Sequence, residues 1–560
     1  MRWIFPQAAD AGSTEQLADA LQLPVAIAEL LARRGFDTPE SAKPHLSPKL
    51  AALTDPFQLP DMQKAVDRVF AAIDAKQRIV LYGDYDVDGV SSLALLSKIL
   101  TEFEADVQCF LPVRGGEGYG LSNEGVVRCR QTLNPQLLIA VDCGTSSVNE
   151  IAALKADGVD VVVLDHHECP SELPDCDALV NPKRGDTFHY LCSVGIVFKL
   201  AHALLKTRRV PGLDLREYLD LVALGTLADL VPLHSENRIL VRRGLEQLGV
   251  TRWVGIKALM DVAGVKPPLE ASDVGFKLGP RMNAAGRLGT AQDALELLLT
   301  DDFEKAKEIA EGLDLQNRDR RAVEDQVYQE AEAQIAEIYN PERDAAIIVG
   351  ADGWHPGVVG IVASRIMRRY HRPTFVVGFD ENGVGKGSGR SIRGLALVES
   401  LQVCSPLLLK FGGHEMAAGV SVHRDQFEAF REAFGKHASS VLDAEKLEPS
   451  LEIDAELLVE EINTRMLNQY EALAPFGMGN PQPLFAIRGV TSSGPPRMLK
   501  EKHLQFSLRQ GRASARAIWF NAPTEPLPPS PWDIAFELSR NEYQGTVSAQ
   551  ILVKAIRTAQ

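Results

Sequence analysis

The sequence predicts an α/β protein of several domains, whose first sheet is parallel and doubly wound. The chain has 560 residues, too many for one hydrophobic core, so three or four domains are expected. Between about residues 65 and 230, helical stretches alternate with short apolar runs at 78–83, 106–112, 136–142 and 160–165. Continuous apolar strands between helices are typical of a parallel sheet that is covered on both faces.

Two helical segments flank this predicted sheet along the chain. Residues 1–50 are expected to form short helices. Residues 302–340 are charged and helical, with an interruption expected near Gly312. A helix as polar as this one is typical of a bridge between domains.

Two further folding units are predicted in the second half of the chain. Strands at 345–350 and 374–379, together with Gly-rich turns, indicate a second α/β unit. From about residue 450 onward, short β segments surround Pro-rich loops such as 522–531, which is typical of a small barrel or sandwich.

Composition and charge exclude several classes of protein. The apolar fraction of 45% and charged fraction of 24% are those of a globular protein, without a signal peptide or a membrane-spanning run, so a cytoplasmic location is expected. The seven cysteines form no CxxC pair, which argues against a disulfide framework or a zinc site. The net charge of −16 argues against non-specific attraction to nucleic acid, although residues 488–560 carry ten Lys/Arg against five Asp/Glu.

The segment 83-GDYDVDG-89 places three aspartates at alternate positions before a glycine. This spacing matches the first half of an EF-hand loop, which also requires a glutamate at its twelfth position. Counted from Asp84, the twelfth residue is Leu95, and the preceding segment is a predicted strand rather than a helix. A calcium loop is therefore excluded.

Acidic and histidine residues follow three of the predicted strands. They lie in 83-GDYDVDG-89, 141-VDCG-144 and 164-LDHHE-168, and Asp229 ends an apolar helical run. The carboxyl ends of parallel strands line one crevice, so these side chains are expected to converge. A set of carboxylates and imidazoles without thiolate favours Mn²⁺ or Mg²⁺ over zinc. The alternative is that each aspartate caps the turn or helix after its strand.

The triplet Asp165-His166-His167, with the aspartate-rich segment before it, resembles the DHH phosphoesterase superfamily. Further segments, in the same order, resemble the RecJ family of bacterial single-strand-specific exonucleases. They are 117-EGYGLS-122, 279-GPRMNAAGR-287, 353-GWHPGVVGIVASR-365, 385-GKGSGRS-391, 411-FGGHEMAAG-419 and 475-PFGMGNPQPLF-485. The resemblance spans about residues 70 to 490.

The resemblance implies five parts of the chain. They are an N-terminal helical segment (1–50), a DHH domain with the parallel sheet (51–300), connecting helices (301–342), an α/β DHHA1 domain (343–445) and an OB-fold-like barrel (446–560).

The resemblance also implies how two divalent cations, Mn²⁺ in preference to Mg²⁺, are held. Asp86 serves one cation and Asp88 the other, Asp142 bridges them, and His166 and Asp229 complete the second. Pyrophosphatase relatives have a histidine where this chain has Tyr82, so one cation is expected to be held more weakly.

Three neighbouring residues are implied to support this centre. Asp84 and His167 are the catalytic candidates that orient ligands or contact the scissile phosphate. Asp165 is expected to hold one of the imidazoles in position without binding a cation itself.

The second half of the chain is implied to hold the substrate. Arg281, Ser388 and Arg390 would form a pocket for a 5′-phosphate, with Gly413 opening the backbone beside His414, which can donate to a phosphate. Without the resemblance, the spacing of these residues favours a flexible hairpin and a core histidine.

The basic C-terminal barrel suits the backbone of a single strand. Phe506, Trp519 and Phe520 are candidates for stacking on bases, although aromatic residues in a small barrel more often belong to its core.

The implied activity is two-metal hydrolysis of single-stranded DNA from the 5′ end, releasing mononucleotides, in recombination and repair. The implied protein is a monomer, without membrane association, that works alongside single-strand binding protein and a RecQ-type helicase. The alternatives are a DHH-family phosphoesterase acting on short oligonucleotides or cyclic dinucleotides, and a non-catalytic replication scaffold.

Overall fold

The structure is a computed structural model that describes residues 1–6, 11–113, 120–288 and 290–559. Residues 117–119 of the segment 117-EGYGLS-122 lie outside the described residues. The chain begins with one short strand and three helices: β1 (Arg2–Ile4), α1 (Ala11–Leu21), α2 (Val25–Arg33) and α3 (Pro39–Leu46).

The first domain contains a five-stranded sheet with helices on both faces. Its strands are β2 (Ile79–Gly83), β3 (Val107–Phe110), β4 (Leu137–Val141), β5 (Asp160–Leu164) and β6 (Ala178–Val180). Its helices are α4 (Met62–Asp74), α5 (Val87–Glu102), α6 (Asn123–Leu133), α7 (Val148–Ala156), α8 (Ser193–Thr207), α9 (Leu219–Ala228), α10 (Ser235–Leu248), α11 (Val254–Ala263), α12 (Ala271–Asp273), α13 (Gly279–Leu288) and α14 (Gln292–Leu299), and a π-helical turn (Val274–Leu278) leads into α13. The strand order is β3-β2-β4-β5-β6 with every pair parallel, so the predicted doubly wound sheet is confirmed.

The alternation of side chains along β2 explains why this sheet is buried on both faces. Ile79 and Leu81 pack into one core, and Val80 and Tyr82 pack into another on the opposite face. The hydroxyl of Tyr82 donates to the carbonyl of Gly120, 3.2 Å away. Tyr82 is therefore part of a hydrophobic core.

The ends of three strands coincide at one edge of the sheet. Gly83 pairs with Val141, and Val141 pairs with Leu164. The loops after β2, β4 and β5 consequently leave the sheet side by side, as expected for a parallel sheet.

A single helix, α15 (Phe303–Ile338), joins the first domain to the second. The predicted interruption near Gly312 is wrong, because the helix continues through this residue. Its first half packs into the core of the first domain with Ala310 and Leu313, and its second half packs into the next domain with Tyr328 and Ile335. The packing of α15 into the cores of both domains outweighs the cost of about 1 kcal/mol for one glycine in a helix.

The second domain is a mixed sheet packed between helices. Its elements are β7 (Ile347–Asp352), α16 (Pro356–Tyr370), β8 (Thr374–Phe379), β9 (Val384–Arg390), α17 (Leu397–Val403), β10 (Lys410–Gly413), β11 (Ala417–His423) and α18 (Arg424–Val441). The strand order is β10-β11-β9-β8-β7, and the pair β7–β8 is parallel while the others are antiparallel.

The third domain is a β-barrel, as predicted. Its elements are α19 (Ala444–Leu447), β12 (Ser450–Glu452), β13 (Ala455–Glu456), α20 (Thr464–Ala472), β14 (Phe485–Ser492), β15 (Arg497–Leu499), β16 (His503–Gln510), β17 (Ala513–Trp519), β18 (Trp532–Tyr543) and β19 (Thr546–Thr558). The strand order is β13-β14-β18-β19-β17-β16-β15, and a pairing of β14 with β16 closes the barrel.

The N-terminal segment belongs structurally to this barrel. Strand β1 pairs in parallel with β12, and Ile27 and Leu31 of α2 lie in the same core as Phe485 of β14. The remaining regular elements are short 3₁₀ turns at Leu50–Ala52, Pro56–Gln58, Pro182–Arg184, Leu215–Tyr218, Ser405–Leu407 and Val459–Glu461. Within the described ranges, no helix combines the length and the apolar character that crossing a membrane would require.

Two arginines of α10 hold the N-terminal segment and the barrel against the first domain. Arg238 donates to the carbonyls of His45 (2.8 Å) and Ala472 (3.1 Å), and Arg242 donates to Leu46 and Ala472 (both 3.1 Å). These carbonyls lie at the carboxyl ends of α3 and α20, where the helix dipole favours a cation. The guanidinium of Arg238 is almost completely buried.

We expect Arg238→Met to reduce the free energy of unfolding by about 2–4 kcal/mol, because buried carbonyls lose a charged donor. The measurement is the midpoint of urea denaturation. Lys257→Met, which removes an exposed cation from the same domain, is the control and should leave the midpoint unchanged. Equal midpoints for both variants would contradict this role of Arg238.

Candidate metal and substrate site

The loop after β2 folds its three aspartates around the first turn of α5. Asp86 caps this helix, and its Oδ1 accepts from the backbone N–H groups of Asp88 (3.0 Å) and Gly89 (3.1 Å). A Cβ atom at Gly89 would lie 2.5 Å from the carbonyl oxygen of Asp84, so the turn requires glycine there. The capping alternative is thus correct for Asp86, without excluding a second role for its other oxygen.

The carboxylate of Asp88 is buried against the N-terminus of α8. Its two oxygens accept from the backbone N–H groups of Ser193 (2.7 Å) and Val194 (2.9 Å). The partial positive charge of a helix N-terminus stabilises a carboxylate in this position. Helix α9 passes Asp88 at Gly225, and Asp229 follows one turn later, hydrogen-bonded through its N–H to the Gly225 carbonyl (2.9 Å).

The backbone of Asp142 adopts a left-handed conformation, with φ of +63°. Such a conformation costs a non-glycine residue about 1–3 kcal/mol and clusters at functional sites. It follows directly after β4, and its buried carboxylate accepts from the hydroxyl of Ser193 at 2.9 Å. Ser193 therefore contacts both Asp88 and Asp142.

Asp165 organises the loop after β5. One oxygen accepts from the N–H groups of His166 (2.8 Å) and His167 (3.2 Å) and lies 2.7 Å from His167 Nδ1, and the other accepts from Thr145 N–H (2.9 Å). Burial lowers the pKa of His167, but the hydrogen bond and charge of Asp165 outweigh it and raise that pKa to about 9. The imidazole that Asp165 contacts is thus that of His167.

His166 lies between two carboxylates. Its Nε2 is 3.4 Å from an oxygen of Asp142 and 3.6 Å from an oxygen of Asp229. Burial, followed by the charge of His167, lowers the pKa of His166 to about 4. The imidazole is therefore neutral at pH 7, which is the form that binds a metal.

All seven predicted metal and catalytic residues meet at this edge of the sheet. Together with the sulfur of Cys192, their ligand atoms form three groups, and within each group these atoms lie within 4.8 Å of one another. The groups are Asp84, Asp86 and Asp142; Asp142, His166 and His167; and Asp88, Cys192 and Asp229. Asp142 belongs to two of the groups. Cys192 and Ser193 were not predicted, because they precede a helix of ordinary apolar sequence and belong to no recognisable motif.

The carboxylates of this centre raise one another's pKa. Burial, followed by the charge of Asp86, raises the pKa of Asp88 to about 7. Burial, followed by the charge of Asp88, raises the pKa of Asp229 to about 8 and that of Asp142 well above its usual range. In the described structure, Oδ2 of Asp229 is buried without a hydrogen-bond partner. Clustered oxygen donors with an unpartnered oxygen and neutral imidazole fit a hard divalent cation.

Helix α13, which carries the segment 279-GPRMNAAGR-287, connects the loop after β2 to the second domain. Asn283 Oδ1 accepts from the N–H of Val87 at 3.2 Å, and Arg287 donates to the carbonyl of Gly357 at 2.8 Å. Both residues line a cleft of about 430 Å³. Ala228, which precedes Asp229 in the sequence, also lines this cleft. Neither residue was predicted, because the segment does not reveal which helix face contacts the loop.

Ser388 and Arg390 lie together on β9. Arg390 donates to the hydroxyl of Ser388 at 2.8 Å, and burial lowers the pKa of its guanidinium. A Cβ atom at Gly360 of α16 would lie 3.0 Å from Ser388 Oγ and 3.2 Å from Arg390 Nη2, which places both beside the second turn of α16. Among the described residues, no carboxylate pairs with Arg390, so it is a half-buried cation available to an anion.

Arg281 contacts a different part of the structure. Its Nε donates to the buried carboxylate of Asp314 on α15 (2.9 Å), and Nη1 donates to the carbonyl of Lys277 (2.7 Å). In the described structure, no contact links it to Ser388 or Arg390. Arg287, six residues later, is the arginine of this segment that reaches α16.

The hairpin of β10 and β11 presents Gly413 and His414. Gly413 has φ of +144°, and a Cβ atom there would lie 2.4 Å from the carbonyl oxygen of Ala417, so the turn requires glycine. His414 is exposed. The pKa of Glu168 is lowered mainly by a hydrogen bond from Lys183; burial opposes this effect, and the charges of Lys183 and then of His414 add to it. The hairpin thus lies close to the loop that contains the two histidines.

The aromatic candidates of the barrel differ in exposure. Phe506 is 2% exposed and packs against Trp532 in the core, so the stacking role considered for it is wrong. Trp519 is partly buried against the same core. Phe520 is 53% exposed and contacts His503 edge-on.

Comparisons with known proteins agree with this architecture. Three family models match the chain: "DHH family, N-terminal domain" over residues 78–226, "DHHA1 domain" over 344–440 and "RecJ OB domain" over 453–555. The single-stranded-DNA-specific exonuclease RecJ of Bacillus subtilis is 38% identical over 99% of this chain and 70% of the relative.

Two solved structures of RecJ from Thermus thermophilus are also similar. The complex with Mn²⁺ has a TM-score of 0.86 and 31% identity, covering 100% of this chain and 80% of that one. The complex with Mg²⁺ has a TM-score of 0.77 and 29% identity, covering 100% and 79%. On the sequence motifs, the fold and these matches, the chain belongs to the RecJ family of single-stranded-DNA-specific exonucleases.

Proposed function

We propose that this protein hydrolyses single-stranded DNA from its 5′ end and releases mononucleotides, using two divalent cations. The observation that supports the direction is Arg390, a half-buried cation without a carboxylate partner in the described structure. It lies beside α16, and α13 joins that helix to the loop after β2 through Arg287 and Asn283. A terminal 5′-phosphate bound there would place the next phosphodiester toward Asp142.

The carboxylates and His166 would hold the cations. Asp84, Asp86 and Asp142 would bind one of them, and Asp142 would be shared with the second, which Asp88, His166 and Asp229 would complete. Two such cations, when bound, activate water and neutralise charge on the scissile phosphate. We propose Mn²⁺ in preference to Mg²⁺, and relatives are known in complex with each.

Other residues of the chain would bind and orient the substrate. The raised pKa of His167 makes it a cation at neutral pH before metal binding, able to donate to a non-bridging phosphate oxygen. His414 would donate from the opposite side of the cleft. Phosphate contacts of this kind carry no sequence information, so cleavage is expected at every sequence.

The barrel would contact the strand ahead of the cleft. Exposed cations on β15–β17 and their loops have no carboxylate partner in the described structure; they are Arg497, Lys502, Arg509, Arg512 and Arg516. This local excess of positive charge suits a phosphate backbone, although the whole molecule is acidic. Phe520 is the exposed aromatic residue suited to stacking on a base.

The direct test is the shortening of single-stranded DNA labelled at its 3′ end, with Mn²⁺ and with EDTA. Progressive shortening from the 5′ end that EDTA abolishes is the expected result. Cleavage limited to short oligonucleotides or cyclic dinucleotides would favour the alternative phosphoesterase activity. Intact DNA with metal-loaded protein would favour the scaffold alternative.

We expect Arg390→Ala to slow degradation of 5′-phosphorylated DNA by about 10- to 100-fold, mainly through KM, because a charge-assisted contact to phosphate is lost. The rate on 5′-hydroxyl DNA should change little. Arg393→Ala, which removes an exposed arginine nearby that pairs with Glu452, is the matched control. Equal losses on both substrates would contradict a 5′-phosphate pocket at Arg390.

Several expectations from the sequence remain proposals about the setting of this activity. They are a monomeric state, a cytoplasmic location, a role in recombination and repair, and cooperation with single-strand binding protein and a RecQ-type helicase.

A further inference from the structure

The segment 475-PFGMGNP-481 of the third domain contacts the loop that follows Asp229. This loop, residues 230–234, connects α9 to α10. The N–H of Leu233, a buried residue, donates to the carbonyl oxygen of Met478 at 2.7 Å. The third domain thus contacts the first domain only four residues after a proposed metal ligand.

Two glycines of this segment allow the close approach. A Cβ atom at Gly477 would lie 2.8 Å from Cδ1 of Leu233. Gly479 has φ of +70°, and a Cβ atom there would lie 3.0 Å from Cβ and 3.3 Å from Cα of Pro232. A side chain at Gly479 would therefore displace the loop by a few tenths of an ångström and would also strain its own backbone.

Asn480 holds the segment in this shape. It is almost completely buried, and its Nδ2 donates to the carbonyls of Leu473 (2.9 Å) and Pro475 (2.7 Å). Its Oδ1 accepts from Arg34 at 2.7 Å. The backbone groups of Gly477 and Asn480 also bond to each other, at 2.9 and 3.1 Å. The turn that contacts the loop after α9 is therefore fixed by side-chain and backbone hydrogen bonds.

The backbone between Asp229 and this loop is strained. Leu230 has φ of +59°, a left-handed conformation that persists in a non-glycine residue only where the surrounding structure holds it. The side chain of Leu230 is 71% exposed, so its own packing does not hold it. The next residues do so, through the segment 475–481 on one side and Asn237 on the other, whose Nδ2 donates to the carbonyl of Pro232 at 3.0 Å.

We infer that the segment 475–481 positions Asp229 for metal binding, so that the third domain supports the metal centre as well as the proposed contact with DNA. This inference rests on the metal centre of the proposed function and adds positioning residues to it. Loss of a contact that holds a ligand in place typically lowers metal affinity by about 10- to 100-fold.

The test compares Gly479→Ala with Gly489→Ala in the full chain. Both glycines belong to the third domain and have positive φ, +70° and +66°, so both substitutions strain the backbone. A Cβ atom at Gly489 would meet no atom of the described structure within 4 Å, so only Gly479→Ala displaces the loop. In calorimetric titration of the metal-free protein, Mn²⁺ binding should be weakened by about 10-fold in Gly479→Ala and unchanged in Gly489→Ala.

The dependence of the rate on Mn²⁺ separates positioning from a general loss of structure. Gly479→Ala should degrade single-stranded DNA slowly at low Mn²⁺. Saturating Mn²⁺ should restore kcat to nearly the native value, with KM for DNA unchanged. Equal Mn²⁺ affinities in the two variants, or a defect that Mn²⁺ does not relieve, would overturn the inference.

Failure of the inference can be separated from failure of the proposed metal centre. A native protein that binds no Mn²⁺ would refute the centre itself, whereas native binding with equal affinities in the two variants would refute the inference alone. If Gly479→Ala does not fold, hydrogen exchange of the native protein decides. Mn²⁺ should slow exchange in residues 475–481 as well as in 230–234, because coupling between two sites is reciprocal. Unchanged exchange in residues 475–481 would overturn the inference.

Discussion

Asp142→Ala is expected to abolish the degradation of single-stranded DNA, with a loss of about a thousandfold or more. Asp142 belongs to two of the three ligand groups, so its loss would remove a ligand from both cations at once. It would also leave the hydroxyl of Ser193 without its acceptor. The measurement is the rate of shortening of 3′-labelled DNA with saturating Mn²⁺.

The matched control is Asp175→Ala, which removes an exposed aspartate from the same domain. This variant should keep the native rate. Binding of single-stranded DNA should also survive in Asp142→Ala, because the proposed phosphate contacts other than His167 lie in the second and third domains. Shortening that continues in Asp142→Ala would mean that the chemistry takes place elsewhere.

The metal-free protein is expected to lose stability as the pH rises from about 6.5 to 8, because below pH 6.5 His166 is protonated only in the unfolded state, which opposes the effect of the carboxyls. Burial and neighbouring charge raise the pKa of Asp88 to about 7 and that of Asp229 to about 8, so the folded state binds protons that the unfolded state has released. The free energy of unfolding should then fall by up to about 1.4 kcal/mol per pH unit for each carboxyl, and level off above the folded pKa. His167 adds a loss in the same direction between about pH 6.5 and 9.

The measurement is the thermal midpoint in EDTA and in Mn²⁺ across this pH range. Mn²⁺ should raise the midpoint most above pH 7, where the carboxylates are charged and repel one another. A variant with both Asp88→Asn and Asp229→Asn should show a flatter pH dependence and a smaller response to Mn²⁺. A midpoint in EDTA that rises toward pH 8 would contradict this account.

Local sequence predicts the first sheet well because each strand is a continuous apolar run with a polar motif after it. The runs predicted at 136–142 and 160–165 correspond to β4 and β5 within one or two residues. In contrast, β1 pairs with β12 across most of the chain, and nothing in the sequence of residues 1–50 identifies that partner. The continuity of α15 through Gly312 likewise depends on packing against two domains.

The site was predictable where the ligands stand in motifs after strands. All of the predicted carboxylates and histidines of the centre come from such motifs or from the end of α9. Cys192 and Ser193 were not predictable, because the contact of α8 with Asp88 depends on the tertiary fold. Arg287 was missed for a related reason: Arg281 and Arg287 lie on the same short helix, and only the packing of α13 shows which of them faces α16.

The continuous helix α15 has a consequence for how the proposed activity advances along a strand. Its 36 residues span about 54 Å, with one half embedded in each of two domains, so these domains are joined by a stiff rod rather than a hinge. The separation between Arg390 on β9, the proposed phosphate anchor, and the proposed metal-binding residues would thereby be held constant. Under the proposed function, the increment removed at each cycle would then be set by the protein and would be the same at every position along the DNA.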